Sequence, residues 1–430
     1  MIQTIQDHYG GLPRDLKYQG PAMIHCTPTT AALLIRVHRI PSHFVVPHEY
    51  DESWVHGSNN TSITFYNANH CPGAAIVLIQ LTDGTCHLHC GDMRYHDKMK
   101  EYPKLANAVQ HRRLDLVYLD TTYGHPKHDF MPQDEAIETI AATVKEELAH
   151  SERTLILLSC YSIGKEKVLW ECASRTNQLV YVTEKKHKML DCIRQEGKHD
   201  LSTQILHQCT LDPTKSDIHV IPMGLAGEIW PYFKPNYWKC AEYAQNLEKK
   251  YDRIVAFLPT GWADGSNWNK KNSITSKQVD YKTKDGSVQV DIRLVSYSEH
   301  SAFSELQSFV KYIKPRKVIP TVFRDDNDRR KIENHFRNMV DSTRAKKNFF
   351  KTMPPRASDS TSIDHGSNTV VLLAAAASLE SSPTKKKRKT IRSCNLDLLV
   401  NMGFDADKAQ SALTAHSNNV EAAVNELLIP

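Results

Sequence analysis

Four short motifs rich in acids and histidine each follow a run of apolar and β-branched residues. N-A-N-H-C-P-G ends at Gly73 and follows the run 62–67. C-G-D-M-R-Y surrounds Asp92 and closes the run 86–90. L-D-T-T-Y surrounds Asp120 at the end of 116–120, and S-Y-S-E-H-S surrounds His300 just after 292–295. Such runs read as strands, so the acids and imidazoles sit where strands end and loops begin. A rigid sheet that displays its ligands on converging loops satisfies that placement. The chain has 22 histidines, so any single one is more often an ordinary hydrogen-bonded side chain. The ordered set of motifs is what carries information.

Between these motifs, strand and helix patterns alternate up to about residue 322. Residues 75–81, 155–159, 254–258 and 318–322 read as further strands. Residues 133–150 place Ile137, Ile140, Ala141, Val144 and Leu148 at helical spacing. Helices are also expected over 165–175 and 303–313. The fold class is therefore α/β. The 430 residues suffice for two or three domains. No stretch approaches the roughly 20 apolar residues of a membrane span, so no membrane partner is expected. The ten cysteines are scattered and form no C-x-x-C pair, which points to a reducing compartment. A net charge of +5 permits a polyanionic partner without demonstrating one.

From residue 353 to about 393 the composition shifts to Ser, Pro, Thr and Ala, the mark of a disordered linker. Within it Lys385, Lys386, Lys387, Arg388 and Lys389 follow a proline, which reads as a nuclear import signal over a merely solvated charge cluster. Regular patterning returns near residue 394. A helix over 396–400, an M-G-F turn at Met402, Gly403 and Phe404, a helix over 406–415 and another over 420–428 make a three-helix module.

Imidazoles and carboxylates drawn from distant loops suit a divalent metal held beside a phosphate, with positions left open for water and substrate. Near the first residue, Asp7 and His8 read as the tail of an H-x-H-x-D-H metal box. Gln3 and Ile5 stand where its first two histidines belong.

The motifs D-H-Y-x-G-L, N-A-N-H-C-P-G, G-D-M-R-Y, L-D-T-T-Y, Y-S-I-G-K-E, P-T-G-W and S-Y-S-E-H-S-A-F, in that order, resemble the DNA cross-link repair nucleases. These are the metallo-β-lactamase/β-CASP enzymes. P-T-G-W at 259–262 and V-I-P-T-V at 318–322 are most similar to their cross-link exonuclease branch. The resemblance implies an αββα sandwich, N-terminally truncated here, with an inserted β-CASP domain. It assigns 1–155 and 286–350 to the metallo-β-lactamase core and 156–285 to the insertion, with 351–393 as linker and 394–430 as a module resembling a ubiquitin-associated (UBA) domain.

The same resemblance implies a metal-dependent 5′→3′ exodeoxyribonuclease that binds zinc or another divalent metal, up to two ions. His70 matches a ligand of the first, Asp92 the bridging carboxylate, and Asp7, His8 and His300 ligands of the second. Asp120 matches an acid that orients water or substrate, and His219 a β-CASP histidine near the scissile phosphate. Ser162, Lys165, Ser298 and Ser301 are phosphate contacts. Val322 matches a position that favours DNA over RNA. The implied partners are damaged or cross-linked DNA with 5′-phosphate ends and ubiquitin or ubiquitinated repair factors, in the nucleus. Met402, Gly403, Phe404 and Leu427 match the ubiquitin-facing patch. Gln3 and Ile5 point to an incomplete gene model or alternative start that lacks upstream strands. A catalytically dead DNA/ubiquitin adaptor and an RNA-processing β-CASP nuclease are the alternatives.

Overall fold

The computed structural model describes residues 23–57, 59–196, 206–228, 233–261, 275–283, 286–341 and 406–416. It divides into two units, Met1–Pro354 and Pro355–Pro430. Asp7, His8, the import signal, Met402, Gly403, Phe404 and Leu427 lie outside the described residues.

In the first unit, β1 (Ile24–Cys26) pairs in parallel with β2 (Val45–Pro47), with the short helix α1 (Pro28–Ala32) between them. Next come β3 (Ser53–His56), β4 (Thr61–Asn67), β5 (Ala75–Gln80), β6 (Cys86–His89), α2 (Pro103–Gln110) and β7 (Leu114–Leu119). A middle segment supplies α3 (Gln133–His150), β8 (Thr154–Cys160), α4 (Glu166–Thr176), β9 (Val180–Tyr181), α5 (Glu184–Glu196), β10 (Cys209–Thr210) and β11 (Ile218–Pro222). After the two-residue strands β12 (Gly227–Glu228) and β13 (Lys234–Pro235) follow α6 (Tyr237–Gln245), β14 (Arg253–Pro259), β15 (Thr275–Thr283) and β16 (Gly286–Val295). Helix α7 (Phe303–Ile313), β17 (Lys317–Pro320) and α8 (Asp326–Phe336) complete the unit.

Two mixed sheets organise these elements. The six-stranded sheet runs β17-β7-β6-β5-β4-β3. Its β4 and β5 are buried on both faces along their central residues, and β5, A-I-V-L-I-Q, reads as a nearly continuous apolar run. Tyr66, Ile76 and Leu78 face a core built with Leu105 of α2, Leu306, Phe309 and Val310 of α7, and Ile332 and Phe336 of α8. Ile63, Phe65, Ala75 and Val77 form a separate cluster on the opposite face. The seven-stranded sheet runs β10-β9-β11-β8-β14-β16-β15, parallel except for the edge strand β15. Helices α3 and α4 cover one face through Ile140, Val144, Leu169 and Cys172, and α6 covers the other through Cys240, Ala241 and Ala244.

The helices expected over 133–150, 303–313 and 406–415 have those bounds. Two other boundaries move. The inserted segment was expected to end at residue 285, but β16 lies in the seven-stranded sheet between β14 and β15. The seven-stranded sheet therefore continues through Val295. The last strand stops at Pro320, short of the expected 322, because Thr321 and Val322 turn onto Leu119 and Thr121. In the second unit, the described helix α9 (Ala406–Ala415) buries Ala412 and Leu413.

Candidate metal centre

The topology explains why the motifs meet. Strands β6, β7 and β17 are mutually parallel, so the loops carrying Asp92, Asp120 and Val322 leave from one edge. Strand β4 runs antiparallel to β5, which runs antiparallel to β6, so the β4–β5 turn bearing His70 lies at that edge too. From the other sheet, β16 delivers the loop 296–301, and β8, separated from β16 by β14, delivers 161–165.

His70, Asp92 and His300 converge there, with one donor atom from each lying within 4.8 Å of the others. Each imidazole is fixed from behind. His70 Nδ1 lies 3.0 Å from the Glu299 carbonyl, and His300 Nδ1 lies 2.8 Å from Asp120 Oδ2. With those nitrogens donating, the Nε2 atoms keep their lone pairs for a cation. Ligating histidines characteristically donate their second N–H to a carbonyl or carboxylate in this way. Asp120 is the better anchored of the two acceptors. The Met93 amide donates to Oδ2 at 2.9 Å, and the Thr122 hydroxyl donates to Oδ1 at 2.7 Å. Burial would raise the Asp120 carboxyl, but His300 and these donors outweigh it and hold it at about 2. Burial likewise pushes His300 down, and Asp120 more than reverses the effect.

Two imidazoles and a carboxylate form a donor set suited to zinc or a similar divalent ion. Their 4.8 Å span closes around metal–ligand bonds of about 2.0–2.2 Å with small side-chain movements. The residues therefore fit a metal. Asp7 and His8, expected ligands of a second ion, fall outside the described residues.

The other expected site residues divide. Ser162 is exposed at the end of β8. Lys165 is buried in a left-handed backbone conformation at the start of α4, its ammonium 5.1 Å from the Tyr161 ring and 5.0 Å from that of Tyr297. Burial lowers its pKa. The adjacent Gly164, at φ +108°, brings the backbone against Glu299, whose Oε2 would lie 2.6 Å from any added Cβ. Lys165 N–H then donates to Glu299 Oε1 at 2.5 Å, linking the Y-S-I-G-K-E loop to His70 through the Glu299 carbonyl.

Ser301 and Ser298, expected as phosphate contacts, are buried and used internally. The Ser301 hydroxyl donates to the Met93 carbonyl and accepts from the Tyr95 amide, each at 2.9 Å. Ser298 Oγ accepts the His300 amide at 3.0 Å. Both hydroxyls position the ligand loops.

His219, expected near the scissile phosphate, is embedded in the seven-stranded sheet with no exposed surface. Its Nε2–H donates to the carbonyls of Ser216 at 2.9 Å and Pro213 at 3.2 Å, and Nδ1 accepts the Tyr243 hydroxyl at 3.0 Å. The alternation that turns Ile218 and Val220 toward one core turns His219 to the opposite face. None of these ring partners belongs to the metal triad.

Arg94 is fully buried and was not singled out by the sequence. Its Nη1 donates to the Ser298 carbonyl at 2.9 Å and its Nη2 to Glu305 Oε1 at 2.8 Å, while Nε lies 2.8 Å from Glu305 Oε2. Glu305 also accepts the Ala302 amide at the start of α7. One guanidinium thus ties the Asp92 loop to the His300 loop.

Comparison with known proteins gives two domain matches. The family described as DNA repair metallo-beta-lactamase matches residues 203–326, and the UBA/TS-N domain matches residues 391–427. Residues 203–326 therefore carry a DNA repair metallo-β-lactamase domain. It is 34% identical over 352 residues to DNA ligase 6 of Arabidopsis thaliana, covering 80% of this chain and 23% of that protein. It is 31% identical to the DNA cross-link repair protein SNM1 of the same plant, over 77% of this chain and 62% of the relative. It is 27% identical to the 5′ exonuclease Apollo of Gallus gallus, over 70% of this chain and 53% of the relative. The chain therefore spans between about a quarter and three fifths of the length of these relatives.

Proposed function

We propose that this chain is a metal-dependent 5′→3′ exodeoxyribonuclease acting on damaged DNA in interstrand cross-link and double-strand break repair. The convergence of His70, Asp92 and His300, with both imidazoles braced from behind, carries the reading. Relatives whose names mark them as cross-link repair proteins and a 5′ exonuclease support the substrate and polarity.

His70, Asp92 and His300 hold a divalent ion, zinc among the candidates, and Asp7 and His8 contribute to a second. Such an ion supplies Lewis acidity toward phosphoryl oxygen and makes water acidic enough to attack at neutral pH. Asp120 keeps His300 in the donor tautomer and orientation the ion requires. Ser162 and the Lys165 ammonium take the terminal 5′-phosphate, which a hydroxyl and a cation recognise together. The run 385–389 directs the chain to the nucleus. The UBA domain, through Met402, Gly403, Phe404 and Leu427, binds ubiquitin or ubiquitinated repair factors.

The test pairs metal content with digestion. Purified protein should retain a divalent ion and degrade 5′-phosphorylated single-stranded DNA faster than its 5′-hydroxyl counterpart or a matched RNA. Equal rates on all three substrates would remove the end and sugar specificity. Gln3 and Ile5, in place of two imidazoles, favour a second reading as a DNA- and ubiquitin-binding adaptor. That reading requires DNA binding with neither stable metal nor turnover.

A further inference from the structure

We infer that Phe323 is a stacking platform for a nucleobase of the DNA strand held at the metal centre, an assignment that rests on the nuclease reading. Large apolar side chains gain by burial, yet Val322 is 43% and Phe323 39% exposed. The loop that carries them has little freedom to bury them. At one end, the Thr321 amide donates to the Leu119 carbonyl at 2.9 Å, and the Val322 amide reaches Thr121 Oγ1 at 3.0 Å. The Thr121 hydroxyl in turn donates to the Val322 carbonyl at 2.7 Å. At the other end, Asp325 caps α8 by accepting the amides of Asn327 and Asp328. Asp328 accepts the Arg324 amide at 3.0 Å and lies 2.9 Å from His125 Nε2. Phe323 is thus displayed at a fixed place on a short braced loop.

That place adjoins the candidate chemistry. Thr121, which holds Val322 at both its amide and its carbonyl, directly follows Asp120, the residue that braces His300. The Arg329 guanidinium, paired with Glu333, lies 5.6 Å from the Phe323 ring centre, and the Arg324 side chain, though paired with Asp328, is 80% exposed. An exposed ring flanked by cations matches how sequence-tolerant proteins hold single strands, with bases on aromatic faces and phosphates near arginines. The Asp325 carboxylate, the acid nearest this surface in sequence, is turned onto the helix amides. The occupant is therefore a base within a strand whose backbone passes the triad. Stacking reads no base identity, so the platform sets the position of the strand and leaves its sequence free.

The experiment uses the full metal-loaded chain, with phosphorothioate linkages in the probes so that cleavage does not intervene. Its probes are 5′-phosphorylated single-stranded oligodeoxynucleotides, each with one 2-aminopurine at a different position. Wild type should quench the fluorescence at one position or two adjacent ones. Phe323→Ala should abolish that quench and weaken binding roughly five- to a hundredfold, the range typical of losing one base–aromatic stack. Phe323→Trp should preserve both. Because the ring is exposed, thermal melting should be unchanged in each variant, which separates stacking from folding. Equal quenching and affinity in Phe323→Ala overturn the platform and leave the nuclease reading intact. Absence of any DNA binding by wild type overturns both.

Discussion

Asp92 and Asp120 are both acids at strand ends, but their positions give them different duties. Asp92 offers an oxygen to the ligand cluster, whereas Asp120 spends its carboxylate on His300, the Met93 amide and Thr122. Asp92→Ala should abolish both metal retention and DNA digestion, as metal analysis and a nuclease assay on one preparation will show. Asp120→Ala should leave the metal bound but about 10–100-fold more weakly, the usual cost of removing an outer partner of a ligand. Competition against a chromophoric chelator measures this, and an unchanged affinity would remove Asp120 from its bracing role. These acids were legible because each lies in a short motif at a strand end. Arg94 stands inside one of those motifs and was passed over. Its partners, Ser298 and Glu305, lie more than 200 residues away in sequence, and no local pattern announces a guanidinium that closes such a gap. Arg94→Met removes one member of a buried ion pair and should destabilise the protein by about 3–5 kcal/mol, read by chemical denaturation. Stability within about 0.5 kcal/mol of wild type, the range of an ordinary surface change, would refute that role.

At the scale of elements, periodicity succeeded where one face of a helix does most of the packing. Helix α3 buries Ile137, Ile140, Ala141 and Val144 and has the bounds that their spacing implies. The hairpin β15–β16 gave no comparable signal, because T-S-K-Q-V-D-Y-K-T is largely polar and occupies a sheet edge. Only the apolar end of β16 is readable in the sequence, so its membership of the seven-stranded sheet is not. A charge network further joins α3 to the strands beneath it. Glu147 lies 2.9 Å from Arg253 Nε and also pairs with Arg293, while Asp291 pairs with both arginines. Burial raises the Glu147 carboxyl, and the two guanidinium groups outweigh it, leaving its pKa below the ordinary value. Its contribution to stability is therefore complete above the unfolded value of about 4.3. It disappears as pH falls through the lower folded value. Glu147→Gln should lose about 2 kcal/mol near pH 7, the size of a hydrogen bond to a charged group. The gap in melting temperature between wild type and variant should shrink as pH is lowered from about 6 toward 3. A gap that stays constant or widens over that interval contradicts the linkage.

For the whole molecule, sequence composition foretold a separate tail. The chain divides into Met1–Pro354 and Pro355–Pro430, and the UBA domain match lies wholly in the second unit. The function of each unit is therefore open to separate disruption. Phe404 ends the M-G-F motif, and a glycine such as Gly403 admits backbone angles that other residues resist. An aromatic residue beside Met402 provides the kind of anchor that fills a shallow apolar pocket and dominates a small interface. A module of about 40 residues buries little area, so its affinity for ubiquitin should be weak, in the range of about 10 μM to 1 mM. Labelled ubiquitin titrated with the full chain should show shifts confined to one apolar face. Phe404→Ala should remove most of them, with a loss near 2 kcal/mol or about 30-fold in affinity. The same variant should keep the metal content and DNA digestion of wild type, because the triad belongs entirely to the first unit. Unchanged ubiquitin shifts in Phe404→Ala would move the anchor elsewhere in the tail. A simultaneous fall in digestion would show that the tail also acts on the catalytic unit.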